Sequence, residues 1–175
     1  MKLTYELDGK GGLRALADHR LLWNYQYNHF DYHPHFHPIR LLQHRNPVIA
    51  TNNMPGDHPW HQGVMFAWKN INGYNVWDMP EDKPSGAARH IHLEVEHHSD
   101  TRLRFRQQLE IVSNDTNPQI LLNEDRSVDF HFDPDSHKQI YDWTIETVAP
   151  EQDVAIEGDP NHGGYGGFCF RGCAL

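Results

Sequence analysis

Histidine is the residue this sequence over-uses: 15 of 175 positions, as many as Lys and Arg together. An imidazole titrates near neutrality, so it can act as general acid, general base or metal ligand. Three groups concentrate it. In Asn28-His29-Phe30-Asp31-Tyr32-His33-Pro34-His35-Phe36-His37-Pro38, positions 33, 35 and 37 share one face of an extended segment, because side chains there repeat every two residues. Three imidazoles on one face offer ligands to a divalent metal such as zinc, copper or iron. The competing reading is a polar strand face whose histidines bond to neighbours or water, interrupted by two prolines.

The second group is Asp57-His58-Pro59-Trp60-His61-Gln62-Gly63. A proline-stiffened loop here presents His58 and His61 beside the Trp60 ring, then enters the apolar run Val64-Met65-Phe66-Ala67-Trp68. Aromatic faces stack on sugar C–H surfaces, and paired imidazoles supply acid–base chemistry. The alternative is a structural loop with Trp60 plugging the core, and spacing alone leaves the two even. The third group, His90 and His92 with His97-His98, reads as the solvated face of a strand, as do Arg102, Arg104 and Arg106. No chemistry is assigned to it.

Asn72-Gly73 is a two-residue hairpin signal leading into the aromatic stretch Tyr74-Asn75-Val76-Trp77. Asn161-His162-Gly163-Gly164-Tyr165-Gly166-Gly167-Phe168 is glycine-rich but lacks the Gly-Lys-Ser/Thr ending of a phosphate loop. In a β context its paired glycines suggest close backbone approach to a ligand, or bulges at a sheet bend. No Gly-x-Ser-x-Gly elbow or catalytic-cysteine signature is present, so nucleophilic acyl chemistry has no support.

The elements that must position these residues follow a period of two. Leu3, Tyr5 and Leu7 alternate with polar neighbours, as do Ile91, Leu93 and Val95, then Leu103 and Phe105. Val128, Phe130 and Phe132, and Tyr141, Trp143 and Ile145, do the same. Turn clusters separate the runs and no segment has a helical period, which predicts an all-β, antiparallel sandwich or barrel. At 175 residues the chain fits a single domain over 1–175. The stretch from Asn46 to Gly63 is long for a connection, and such loops are usually functional or disordered. A net charge of −9 argues against a nucleic-acid partner. No apolar run approaches the roughly 20 residues of a membrane span. With no leader visible and only Cys169 and Cys173, the expectation is a soluble, cytoplasmic protein without a disulfide framework.

The residues Asp57-His58-Pro59-Trp60-His61-Gln62-Gly63, Phe66, Ile71-Asn72-Gly73 and Trp77 resemble the central signature of the family labelled "methane oxygenase PmoA", also called DUF6807. The resemblance takes in His35-Phe36-His37-Pro38-Ile39-Arg40 upstream. Downstream it takes in Leu121-Leu122-Asn123-Glu124-Asp125-Arg126 and the stretch from His162 to Arg171, covering about 20–171. A methane monooxygenase subunit is an integral membrane protein, so the label does not fit a chain without a span. The family is similar in architecture to galactose-mutarotase-like β-supersandwiches, which implies a small sugar or sugar derivative as ligand. Relatives continue past the glycine-rich segment, so the resemblance implies an incomplete supersandwich, without the late catalytic glutamate of mutarotases. Open sheet edges in such a half-domain would favour a homo-oligomer.

The resemblance thus implies a carbohydrate-related protein, sugar-binding and with mutarotase- or epimerase-like chemistry. His58 and His61 would exchange protons with a ring or anomeric oxygen, and Glu124, or Asp57 as orienter, would take the opposite role. Trp60, Trp77 and Tyr165 would stack, with Asn72, His162 and Arg171 also contacting the ligand. No cofactor is needed on this reading. The alternatives are a non-catalytic sugar-binding or assembly module, and a metalloprotein with His33, His35 and His37 among its ligands.

Overall fold

In a computed structural model, residues 1–27, 33–42, 62–78, 84–162, 164 and 166–170 are described. The alternating runs become antiparallel strands in three sheets. A six-stranded sheet is ordered β1 (Leu3–Leu7), β2 (Gly12–Ala17), β3 (Arg20–Gln26), β4 (His35–Ile39), β5 (Val64–Ala67) and β13 (Gly167–Phe170). A four-stranded sheet of longer strands runs β11 (Gln139–Val148), β10 (Ile120–Phe132), β9 (Arg102–Ser113) and β8 (Gly86–His98). A small sheet joins β12 (Ile156–Glu157), β6 (Asn70–Ile71) and β7 (Tyr74–Asn75). Among the described residues there is no α-helix; one 3-10 turn covers Pro160–His162. Among these residues no helix is long and apolar enough to cross a membrane.

The two larger sheets pack face to face because each strand has one apolar row. Trp23, Tyr25 and Phe36 from one sheet meet Phe105 and Phe130 from the other, all fully buried. The Trp23 ring meets Phe36 and Phe130 edge-on, with centroids 5.1 and 5.3 Å apart, the geometry the ring quadrupoles favour. Burying each such ring contributes roughly 1.5–3 kcal/mol.

Asn72-Gly73 makes the hairpin its sequence predicts. Ile71 pairs with Tyr74, and both turn residues have positive φ, 50° and 80°.

One alternation is broken. The ladder between β8 and β9 shifts register between His90 and His92 and again between Val95 and His97. An extra residue in a strand reverses the faces beyond it. Ile91, expected inside, is therefore 50% exposed. His90, expected in solvent, turns inward, its ring edge-on to Tyr27 with Nδ1 3.3 Å from Gln107 Nε2. The arginines of β9 do face solvent, paired with carboxylates on neighbouring strands.

Candidate functional site

Of the sequence-nominated positions, His58, Trp60, His61, Tyr165 and Arg171 lie outside the described residues, as does Asp57. His162 is placed only as part of the 3-10 turn. The described positions are His33, His35, His37, Asn72, Trp77 and Glu124.

Glu124 and Arg126 lie two apart on β10, on the row that continues through Val128, Phe130 and Phe132 into the core. Both are buried, Arg126 to 1% exposure. Arg126 Nε donates to Glu124 Oε1 at 2.7 Å, and Nη2 donates to the same oxygen. Nη1 reaches the Tyr25 hydroxyl at 3.3 Å and Nη2 the Phe66 carbonyl at 3.4 Å. The guanidinium lies over the Trp143 ring, 5.6 Å from its centroid, a cation–π contact. Burial by itself would lower the arginine pKa. The Glu124 charge, with Tyr25 and the hydrogen bonds of both, outweighs it and holds the group above its ordinary value.

The network continues outward through the interior. Tyr25 Oη donates to Gln107 Oε1, and Gln107 Nε2 donates to the Tyr27 carbonyl at 3.3 Å and approaches His90 Nδ1. Burial pushes the Tyr25 pKa up to about 12 against the opposing charge of Arg126. Tyr25 is therefore a permanent donor at neutral pH.

His33 sits at the same end of the sandwich, 3% exposed. Burial pulls its pKa down to about 4, helped by the positive charge of Arg126 and by His35, against the backbone at Val76 and Trp77. The ring is thus neutral at pH 7, held beside the backbone of Val76 and Trp77. His35 Nδ1 lies 2.8 Å from the His33 carbonyl.

The three-histidine face is not formed. β4 begins only at His35, so the period of two does not extend back to His33. Among the described residues no three of His, Cys, Asp and Glu are grouped to hold a metal, and His33, His35 and His37 are all described.

Trp77 is 3% exposed and packs with Met65, Ala67 and Cys169 as a core residue, not an open platform. Asn75 sets its place, its Oδ1 accepting from the backbone N–H of Trp77 and Asp78, both at 3.0 Å. Asn72 is a clip. Its Oδ1 accepts from Ala155 N at 2.7 Å and its Nδ2 donates to the Asp153 carbonyl.

Pairing of β4 with β5 brings the first histidine motif beside the end of the second: His35 opposes Met65 and Phe36 opposes Val64. Gly63, last residue of the second motif, has φ +55°, and a Cβ there would stand 2.0 Å from the Phe36 carbonyl oxygen. That glycine is required by close backbone approach. Phe66 then pairs with Phe168 of β13, whose ring meets Trp143. Segments far apart in sequence, around 33–36, 62–66, 76–77, 124–126 and 167–168, therefore meet at one end of the sandwich.

A shallow trough of about 340 Å³ lies instead on the outer face of the four-stranded sheet, lined by Glu96, Arg104, Arg106, Asp125, Ser127, Thr144 and Glu146. It has no aromatic wall, and its arginines are already paired with carboxylates.

Arg126, Tyr25 and Gln107 were not nominated from the sequence. A signal existed for Arg126: counting back by twos from Phe132, Phe130 and Val128 places both Arg126 and Glu124 on the inward row.

Compared with protein-family models, residues 13–174 match a family of unknown function, DUF6807. No curated protein matches, and no solved structure matches.

Proposed function

From its membership of the DUF6807 family, we propose that this chain is a carbohydrate-related protein. It binds a sugar or sugar derivative at the end of the sandwich where the histidine, Asn-Glu-Asp-Arg and glycine-rich motifs meet the Val76-Trp77 stretch. On this reading the fold is of galactose-mutarotase type. His58 and His61 exchange protons with ring or anomeric oxygens, and Trp60 and Tyr165 stack on the ligand. Arg171 and His162 also contact the ligand on this reading.

The observation that carries the proposal is the convergence of those motif segments around Arg126 and His33. The His33 imidazole at this end is buried and neutral, so it adds no charge to a site meant for a hydroxyl-rich ligand. Glu124 serves by holding the guanidinium in place. Acid–base assistance of this kind contributes ~10²–10⁴-fold, enough for an easy isomerisation.

The test is NMR exchange spectroscopy of anomer interconversion across aldoses and uronic acids, with His58→Ala and His61→Ala. Acceleration lost in either variant is the expected result. No acceleration and no sugar binding by the unaltered protein would sink the proposal.

A second reading, a binding module without turnover, draws on one observation: the buried carboxylate at this end, Glu124, is already committed to Arg126. It expects ligand-induced thermal stabilisation that survives His58→Ala.

A further inference from the structure

The two facing sheets differ in width. On one side they end together: Leu3 N of β1 donates to the Asp100 carbonyl just after β8, and His98 Nε2 meets the Leu3 carbonyl, both at 2.9 Å. On the other side the six-stranded sheet continues through β5 to β13, whereas its partner stops at β11. Trp143 on β11 touches Phe36 of β4 and Phe168 of β13. Phe168 and Phe170 stand opposite Phe66 and Val64, the row that carries Val64 against the core. They are nonetheless 56% and 68% exposed. Among the described residues, the inward face of β13 thus reaches past the last strand of the facing sheet.

β11 is paired along its ten residues with β10 alone. Its other edge leaves a row of backbone donors and acceptors open among the described residues, a template for another strand. The charges on the outer face point the same way. Glu94 opposes Arg106, and Arg106 pairs with Asp125; Arg102 pairs with Asp129. One strand further on, the alternation of sign fails: Asp125 faces Glu146, and Asp129 faces Asp142. Like charges directly opposite are destabilising, and among the described residues neither Asp142 nor Glu146 forms a salt bridge. The last row before the open edge therefore carries two carboxylates outside any salt bridge, four residues apart with Thr144 between them. Asp142 feels the more distant Arg102 charge, and Glu146 faces only Asp125.

We propose that the β11 edge takes one further strand from a partner polypeptide. That strand is extended and amphipathic, with apolar side chains turned inward over Phe168 and Phe170. Its outer row carries Lys or Arg beside Asp142 and Glu146. Backbone pairing supplies affinity, and the charge row sets which strand is accepted.

The probe is a fluorescent nine-residue peptide alternating Val with polar residues, Lys occupying two polar positions four apart. The full chain is expected to bind it, with hydrogen-exchange protection confined to β11. Replacing both Lys by Glu weakens binding by about two- to thirtyfold, the loss of two cross-strand charge pairs. A central proline abolishes it. The double substitution Asp142→Lys, Glu146→Lys, both at exposed sites, reverses the preference toward the Glu peptide. The proposal is overturned by absence of binding, by equal binding of Lys and Glu peptides, or by protection away from β11. It is equally overturned if light scattering finds a dimer that the double substitution dissociates, since a second copy then fills the edge.

Discussion

The buried ion pair makes the sharpest prediction. Glu124→Leu removes the only carboxylate that Arg126 touches among the described residues. It leaves a guanidinium 1% exposed, with only the Tyr25 hydroxyl and the Phe66 carbonyl as weak acceptors at 3.3 and 3.4 Å. Arginine cannot shed its proton here, so the charge stays buried and unpaired. Breaking such a pair costs about 3–5 kcal/mol, a large part of the roughly 5–15 kcal/mol that holds a domain folded. With a urea slope of about 2 kcal/mol/M, the unfolding midpoint falls by about 1.5–2.5 M. The double variant Glu124→Leu, Arg126→Met replaces both charges by apolar groups of similar size. It recovers most of the loss, because desolvation is then no longer incurred. The assay is urea unfolding of the wild-type, both single variants and the double, followed by tryptophan fluorescence and far-ultraviolet circular dichroism. A loss below about 1 kcal/mol in Glu124→Leu, or a double variant no better than the worse single, would refute the reasoning.

Three further predictions follow from the same interior. His33 has a folded-state pKa of about 4 against 6.5 unfolded. Its depressed pKa contributes stability present above pH 6.5 and lost as pH falls toward 4, by at most about 3 kcal/mol. Urea titrations at pH 7.5, 5.5 and 4 should show this loss reduced in His33→Gln, and an unchanged profile would count against it. Tyr25→Phe strips Gln107 Oε1 of its donor and Arg126 Nη1 of its acceptor in the interior, and should cost about 1–3 kcal/mol by the same unfolding assay. Gly63→Ala places a Cβ against the Phe36 carbonyl and should lower the melting temperature steeply, whereas Gly73→Ala meets no atom within 4 Å and answers only to its backbone conformation; equal effects would refute the contact argument.

Much of the architecture was legible in the linear pattern, because the period of two is a local property of a pleated strand. Val128, Phe130 and Phe132 declared the inward row of β10, and Asn72-Gly73 declared its hairpin. Where the reading failed, the cause was an interaction between strands. The bulges in β8 depend on how that strand registers with β9, so no count along 90–98 alone could place His90 inside and Ile91 outside. The face of three histidines failed for a related reason. It assumed a strand from His33 onward, but pairing with β5 starts β4 at His35.

The functional residues divide along the same line. The sequence by itself determined which residue types are available: the paired histidines of the 57–63 motif, the Asn-Gly turn, the glycine-rich tail and the acidic excess. Motif spacing also carried the family, because it survives as a linear pattern. Only the tertiary structure decided that some of them serve packing. Trp77 became a core residue and Asn72 a clip, while Arg126, quoted in a motif but given no role, became the hub that joins Glu124, Tyr25 and Phe66. The physical reason is that a charge gains its meaning from the dielectric and the partners around it. Both are set by strands distant in sequence, and alternation along one strand reveals only which way a side chain points.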